Sequence, residues 1–311
     1  MIETRASGGR GTGKGNPDPA AIAALQADPR FAAAAHRCAA ALVEHYRDSW
    51  LLNRIMNDRG RFVLSVLVLD LHFYGGPDGL TAGGLKTLCV EQNVCSRGRA
   101  GAMLAAMRLF GLLTSAAGPD LRRKRLVPTE RLLAIHRERW RGALAATGDL
   151  IPVAAVAAQR LGDETFFAAF VHALAERYRG GMRPLAWAPA LAPFAEHDAG
   201  VMILFSIFLT QLDAGQGLSI VKLAQRFSVS RAHVLGVLRG GEAEGLLMRE
   251  ADRRIVLAQP LRQALSDFLA GIFIIHADAA REAVKAGSGA IRADERGGVA
   301  RPPSTIDRPS P

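Results

Sequence analysis

The sequence predicts a mainly α-helical chain with short β-wings, built from two helix-turn-helix units in tandem. Three observations predict it. First, residues 218–248 carry the punctuation of a helix pair. Ser219 stands where a cap would accept from the next turn, Leu223, Ala224 and Phe227 share one helical face, and Ser228-Val229-Ser230 breaks the pattern. Val234, Val237 and Leu238 then recur at the three- and four-residue spacing of a second helix, which Gly245 closes before a strand. Second, residues 80–113 repeat the motif: Ser96-Arg97 matches Ser230-Arg231, and Gly111-Leu112-Leu113 matches Gly245-Leu246-Leu247. Thr81 aligns with Ser219 as a cap if the first copy has about one extra helical turn before its break. Third, each copy leads into a hairpin. TSAAGPDLRRKRLVPT reads as strand, Gly-Pro-Asp turn, basic tip and returning strand, and MREADRRIVL is a tighter version.

Composition agrees. The 311 residues are 49% hydrophobic and only 6% aromatic, a mix that suits helix packed on helix. That length accommodates two domains, each with its own core. A formal net charge of +10 favours a polyanionic partner, nucleic acid first and an anionic membrane surface second. Three cysteines (Cys38, Cys89 and Cys95) lack metal-ligand spacing and fit a reducing cytoplasm. The N-terminus lacks a signal-peptide core, and the longest apolar runs fall short of the ~20 residues that span a bilayer.

In chain order, residues 1–19 read as a disordered basic arm. Gly8, Gly13 and Lys14 imitate a phosphate-binding loop, but Gly15 stands where a Ser or Thr would hold magnesium. From residue 20 to 50 the pattern is helical, with Phe31, Ala35, Cys38, Leu42 and Tyr46 on one face. A second apolar helix covers residues 58–74 and ends at the loop Gly75-Gly76-Pro77-Asp78-Gly79. Helix resumes from Glu130 to Trp140 after the first wing. A softer section, residues 142–162, separates a first unit (20–145) from a second (146–285). Residues 163–179 echo the first half, Glu176-Arg177-Tyr178-Arg179 answering Glu44-His45-Tyr46-Arg47. The prolines at 184, 189 and 193 forbid one regular helix there. Residues 197–212 answer the helix at 58–74. Residues 260–285 form a last helix with an apolar middle, and 286–311 read as a disordered tail.

The order helix, helix-turn-helix, wing, helix, twice over, resembles the winged helix-turn-helix transcriptional regulators of the MarR type. Leu218-Ser219, Leu223-Ala224, Val229-Ser230-Arg231 and Gly245-Leu246-Leu247 carry the likeness in the second copy. In the first it rests on the wing, Asp120-Leu121-Arg122 and Leu126-Val127-Pro128-Thr129. The resemblance implies recognition helices in the major groove of double-stranded DNA and wings on the backbone or minor groove. That family carries one such unit per chain and dimerises, whereas two units here imply an intrachain pseudo-dimer. The apolar terminal helices offer a homodimer face, and the residues name no effector.

The expected DNA-contacting residues are Ser96, Arg97 and Arg99 in the first copy and Ser230, Arg231, His233 and Arg239 in the second. Each set opens a recognition helix, where side chains meet base edges and amide groups meet phosphate. Arg122, Arg123, Lys124 and Arg125 form the densest basic cluster, and Arg253 and Arg254 form a smaller one on the second wing. The groove-facing middles, Gly101-Ala102 and Leu235-Gly236, lack the side chains that read bases in pairs of hydrogen bonds. This leaves an alternative, a winged-helix scaffold for protein partners with weak or non-specific DNA binding. Cys95 aligns with the inward anchor Val229, so it reads as a small buried hydrophobe more than a redox switch. The histidines form no ligand set, no catalytic constellation stands out, and the sequence implies neither a metal, nor a cofactor, nor an enzyme.

Overall fold

The caps set the helices of the computed structural model, which describes residues 15–116, 125–211, 219–250 and 254–297, with side chains through residue 287. The first half runs α1 (Pro19–Gln26), α2 (Phe31–Tyr46), α3 (Trp50–Ile55), α4 (Arg59–Tyr74), α5 (Ala82–Glu91), α6 (Arg97–Leu109), β1 (Leu113–Ser115), β2 (Leu126–Pro128) and α7 (Glu130–Thr147). The second runs α8 (Pro152–Arg160), α9 (Glu164–Arg179), α10 (Pro184–Trp187), α11 (Ala192–Ala195), α12 (Gly200–Thr210), α13 (Ile220–Arg226), α14 (Arg231–Ala243), β3 (Leu247–Arg249), β4 (Ile255–Leu257) and α15 (Gln259–Gly297). The molecule is therefore mainly α with two small antiparallel sheets.

Thr81, Ser96, Ser219 and Ser230 all cap as their positions imply, each accepting from the amide three residues on. Each cap satisfies an orphan donor and contributes about 1 kcal/mol. Helix α5 has 10 residues and α13 has 7, so the extra turn of the first copy lies inside α5. Both turns pass through the left-handed region, at Asn93 and Ser228 with φ of 53° each. The amide of Val94 then bonds back to the Cys89 carbonyl, and that of Val229 to the Ala224 carbonyl. Val94, not Cys95, is thus the counterpart of Val229. Cys95 is an added residue in a turn one position longer, and half-buried.

The hairpins correspond residue for residue. Leu113 faces Pro128 and Ser115 faces Leu126, while Leu247 faces Leu257 and Arg249 faces Ile255. In both, the first strand buries only its leading leucine and the second buries its two ends. That is the period-2 signature of a ribbon with one face on a core. Thr81 adds a bridge to Arg125 beside the first hairpin.

Several boundaries differ from the sequence expectation. Within the expected arm, residues 15–19 are held against the fold: Asn16 accepts from the Arg183 amide at 2.8 Å, and Asp18 caps α1. The stretch 20–50 holds two helices, α1 and α2, and ends where α3 begins, and the softer section 142–162 is the end of α7 followed by α8. Alanine-rich composition made that section look weak, yet Ala154, Ala157 and Ala158 are small enough to bury against neighbours. The expected disordered tail continues α15 to Gly297. No single helix among the described residues is long and apolar enough to cross a membrane.

The halves do not keep separate cores, because buried side chains form one continuous cluster from Ile22 to Ala283. Helix α2 packs on α7 within its half and on α12 across, while α4 packs on α9 and α15 on α9. At the α4–α9 joint the buried Asp70 pairs with Arg179 and lies 2.7 Å from His172 Nδ1. At the α9–α15 joint Arg177 reaches Asp278 at 2.6 Å. Gly200 is required where α12 begins, since a Cβ there would stand 2.1 Å from the Phe194 carbonyl oxygen.

Candidate nucleic-acid interface

Helices α6 and α14 bury Ala100, Met103, Leu104 and Met107 in one case and Val234, Val237, Leu238 and Gly241 in the other. Their opposite faces are open. On α6 the exposed residues include Arg97, Gly98, Ala102, Ala105, Arg108 and Leu109; on α14 they include Arg231, Ala232, Gly236, Arg239, Gly240 and Ala243. Each face thus pairs two arginines with small side chains. Gly101 packs under Lys86 of α5, whose Nζ would lie 3.3 Å from a Cβ there. Arg108 escaped the sequence reading, although its spacing of eleven from Arg97 puts it on the same helical face.

The remaining expected contacts divide. Ser96 and Ser230 are spent as caps, each accepting from an amide of its own helix. Arg97 donates to Thr87 Oγ1 at 3.0 Å, which ties it back to α5. Arg125 lies exposed beside Gly79, where a Cβ would meet its guanidinium. Arg254 pairs with Glu250 at 3.2 Å. Arg122, Arg123, Lys124 and Arg253 lie outside the described residues.

Arg99 and His233, expected to reach for DNA, are engaged within the chain, Arg99 at an exposed position and His233 at a half-buried one. Arg99 Nη2 donates to Asp58 Oδ2 at 3.0 Å, and Asp58 is buried as the cap of α4. His233 Nε2 lies 2.7 Å from the Asp198 carbonyl oxygen, with the His197 ring edge-on at 5.9 Å. Arg61 joins the two ends. Its Nε contacts Asp58 Oδ2 at 3.0 Å and its Nη1 contacts Asp198 Oδ1 at 2.9 Å. The chain Arg99–Asp58–Arg61–Asp198–His233 therefore links the N-terminal turns of α6 and α14 across the two halves.

Two backbone bonds reinforce that link, Ala199 N to Asn57 O at 3.2 Å and Asp48 N to Arg226 O at 3.0 Å. Asp58 is buried and holds both Arg61 and Arg99, so it fixes the relative placement of the two helices. No spacing rule in the sequence announces this network, because Arg61 and Asp198 are 137 residues apart.

Cys89 and Cys95 lie thiol to thiol at the base of the α5–α6 turn. Burial, with Cys95 beside it, pushes the Cys89 thiol up to about 12. No family model, curated protein or solved structure matches this chain.

Proposed function

We propose that this chain is a DNA-binding transcriptional regulator made of two winged helix-turn-helix units, paired within one chain as a pseudo-dimer. The observation that carries the reading is the matched pair α6 and α14. Each is a capped helix after a left-handed turn, followed by a hairpin of the same register, with arginines on its open face. A rigid link between their N-terminal turns suits two helices that must meet successive major-groove faces at fixed spacing. Arg97, Arg108, Arg231 and Arg239 contact phosphates and base edges, and the wing arginines add phosphate contacts. Arg99 and His233 position the helices instead.

The test is capture of fragmented genomic DNA by the purified protein at about 50 and 200 mM salt, the range over which non-specific binding collapses. A few fragments persisting at the higher salt are expected. Arg122→Ala with Arg123→Ala should weaken binding to every fragment and shallow the salt slope by ~0.9 per lost contact. An unchanged slope removes the wing from the interface.

A second reading, a winged-helix scaffold for a protein partner, is favoured by the small, Asn- and Gln-free open faces of α6 and α14. Trp50 and Leu109, 55% and 79% exposed, add apolar surface near α6. It predicts DNA capture no stronger than a generic basic protein shows, with no fragments persisting at the higher salt, and a protein complex that survives high salt.

A further inference from the structure

The far end of α6 carries an apolar patch. Trp50 of α3 and Leu109 of α6 are exposed, and the Trp50 ring meets the half-buried Phe110 edge-on, with ring centroids 5.2 Å apart. Three arginines stand around it. Arg54 shares a face of α3 with Trp50 at a spacing of four residues, and Arg108 precedes Leu109 on α6. Arg131 of α7 donates to the Phe110 carbonyl at 3.4 Å. All three are exposed, and none pairs with a carboxylate among the described residues. Of the carboxylates nearest in sequence, Glu130 is held by Arg137 at 2.6 Å, which leaves Asp48 against three arginines.

Helix α14 and its hairpin supply an internal control. The closing glycines Gly111 and Gly245 share φ of 67°, and the hairpins share their register, so positions correspond one for one. Arg108-Leu109-Phe110 corresponds to Glu242-Ala243-Glu244, and Arg131 corresponds to Pro260. The second copy closes the same helix and pairs the same hairpin with neither the large apolar side chains nor the positive charge. The fold does not need the patch, which leaves it for a partner.

We propose that this patch docks an acidic protein segment with large apolar side chains, its anchors against Trp50 and Leu109 and its carboxylates on Arg54, Arg108 and Arg131. The occupant follows from the two features together. Guanidinium forks pair with carboxylates through charge-assisted hydrogen bonds, while exposed Trp and Leu side chains gain from burial against apolar groups. A DNA backbone supplies the charge without the apolar anchor. Docking on a membrane surface takes an apolar face that runs along a helix, whereas here α3 and α6 each expose one large apolar residue. A second copy of this chain would set arginines against arginines. The proposal does not depend on α6 and α14 contacting DNA; Arg108 lies at the edge that the two surfaces share.

The experiment is fluorescence anisotropy of a labelled peptide that alternates Asp with Phe and Leu, titrated with the full-length protein without nucleic acid. Two control peptides carry Asn for Asp, or Ser for Phe and Leu. The first peptide is expected to bind at least ~10-fold more tightly than either control. Trp50→Ala with Leu109→Ala should weaken it at least ~10-fold, and so should Arg54→Glu with Arg131→Glu. Lys222→Glu with Lys285→Glu makes the same change of charge at exposed positions on α13 and α15, and should change the affinity less than ~2-fold. Equal binding of either control peptide overturns the proposal, as does an equal loss in the lysine variant. No binding of the first peptide at about millimolar concentration also overturns it. So does tighter, Trp50-dependent binding to phosphatidylserine vesicles, or a dimer of the natural protein that Trp50→Ala with Leu109→Ala dissolves, since each assigns the patch to another occupant. The peptide comparison uses the natural protein alone, so it decides the matter even where a variant fails to fold.

Discussion

At the scale of single residues, His136 shows what burial does to a titratable group. It is fully buried on α7, 5.0 Å from the Trp140 ring and 6.0 Å from the Phe62 ring, centroid to centroid. Neither ring nitrogen has a hydrogen-bond partner among the described residues. Burial, with Arg139 nearby, pushes it down to about 3, against an ordinary value of 6.5. Between those values the unfolded chain takes up a proton that the folded one refuses. Stability is therefore whole above about pH 6.5 and falls as the pH drops through the window. From pH 7 to pH 5 this one residue removes about 2 kcal/mol. His136→Phe keeps the ring and removes the titration, so urea unfolding at the two pH values should show a drop smaller by about that amount. An equal drop in both proteins would show that His136 is protonated in the fold. In the sequence His136 is one of several histidines that form no ligand set, and nothing there marks it as buried, since what surrounds a side chain is set by packing.

At the scale of elements, the repeated turns and caps were legible, because they depend on residues a few positions apart. The structure adds their dihedral angles, which make opposite predictions for neighbouring positions. Gly111 and Gly245 both close their helices at φ of 67°, where an L side chain is strained. Gly245→Ala should cost about 1–2 kcal/mol. Ser228 holds φ of 53° without being glycine and is exposed, so Ser228→Gly should raise stability by a few tenths to about 1 kcal/mol. Thermal unfolding of the two variants checks the signs. A stabilising Gly245→Ala would mean that the helix end is not built this way. The pairing of Arg99 and His233 was not legible, because their partners Asp58 and Asp198 sit 41 and 35 residues away.

At the scale of the whole molecule, the two halves share one buried cluster and are bolted together by Arg61, Arg59 and the Asp70 joint. Two domains with separate cores would unfold in two steps. A continuous core should give one cooperative transition, with calorimetric and van't Hoff enthalpies that agree. Two resolved transitions in the calorimeter would restore independent units. The same continuity creates a cavity around Arg139, because surfaces from both halves meet there without filling the space. By itself the sequence determined the helical class, the two capped helix pairs, their hairpins and the basic open faces, all of which follow from local propensity and periodicity. Only the tertiary structure decided which arginines face out, that α8 and the far end of α15 are helical, and that the halves fuse around a cavity. Those features depend on contacts between residues far apart in the chain, and no spacing within it encodes them.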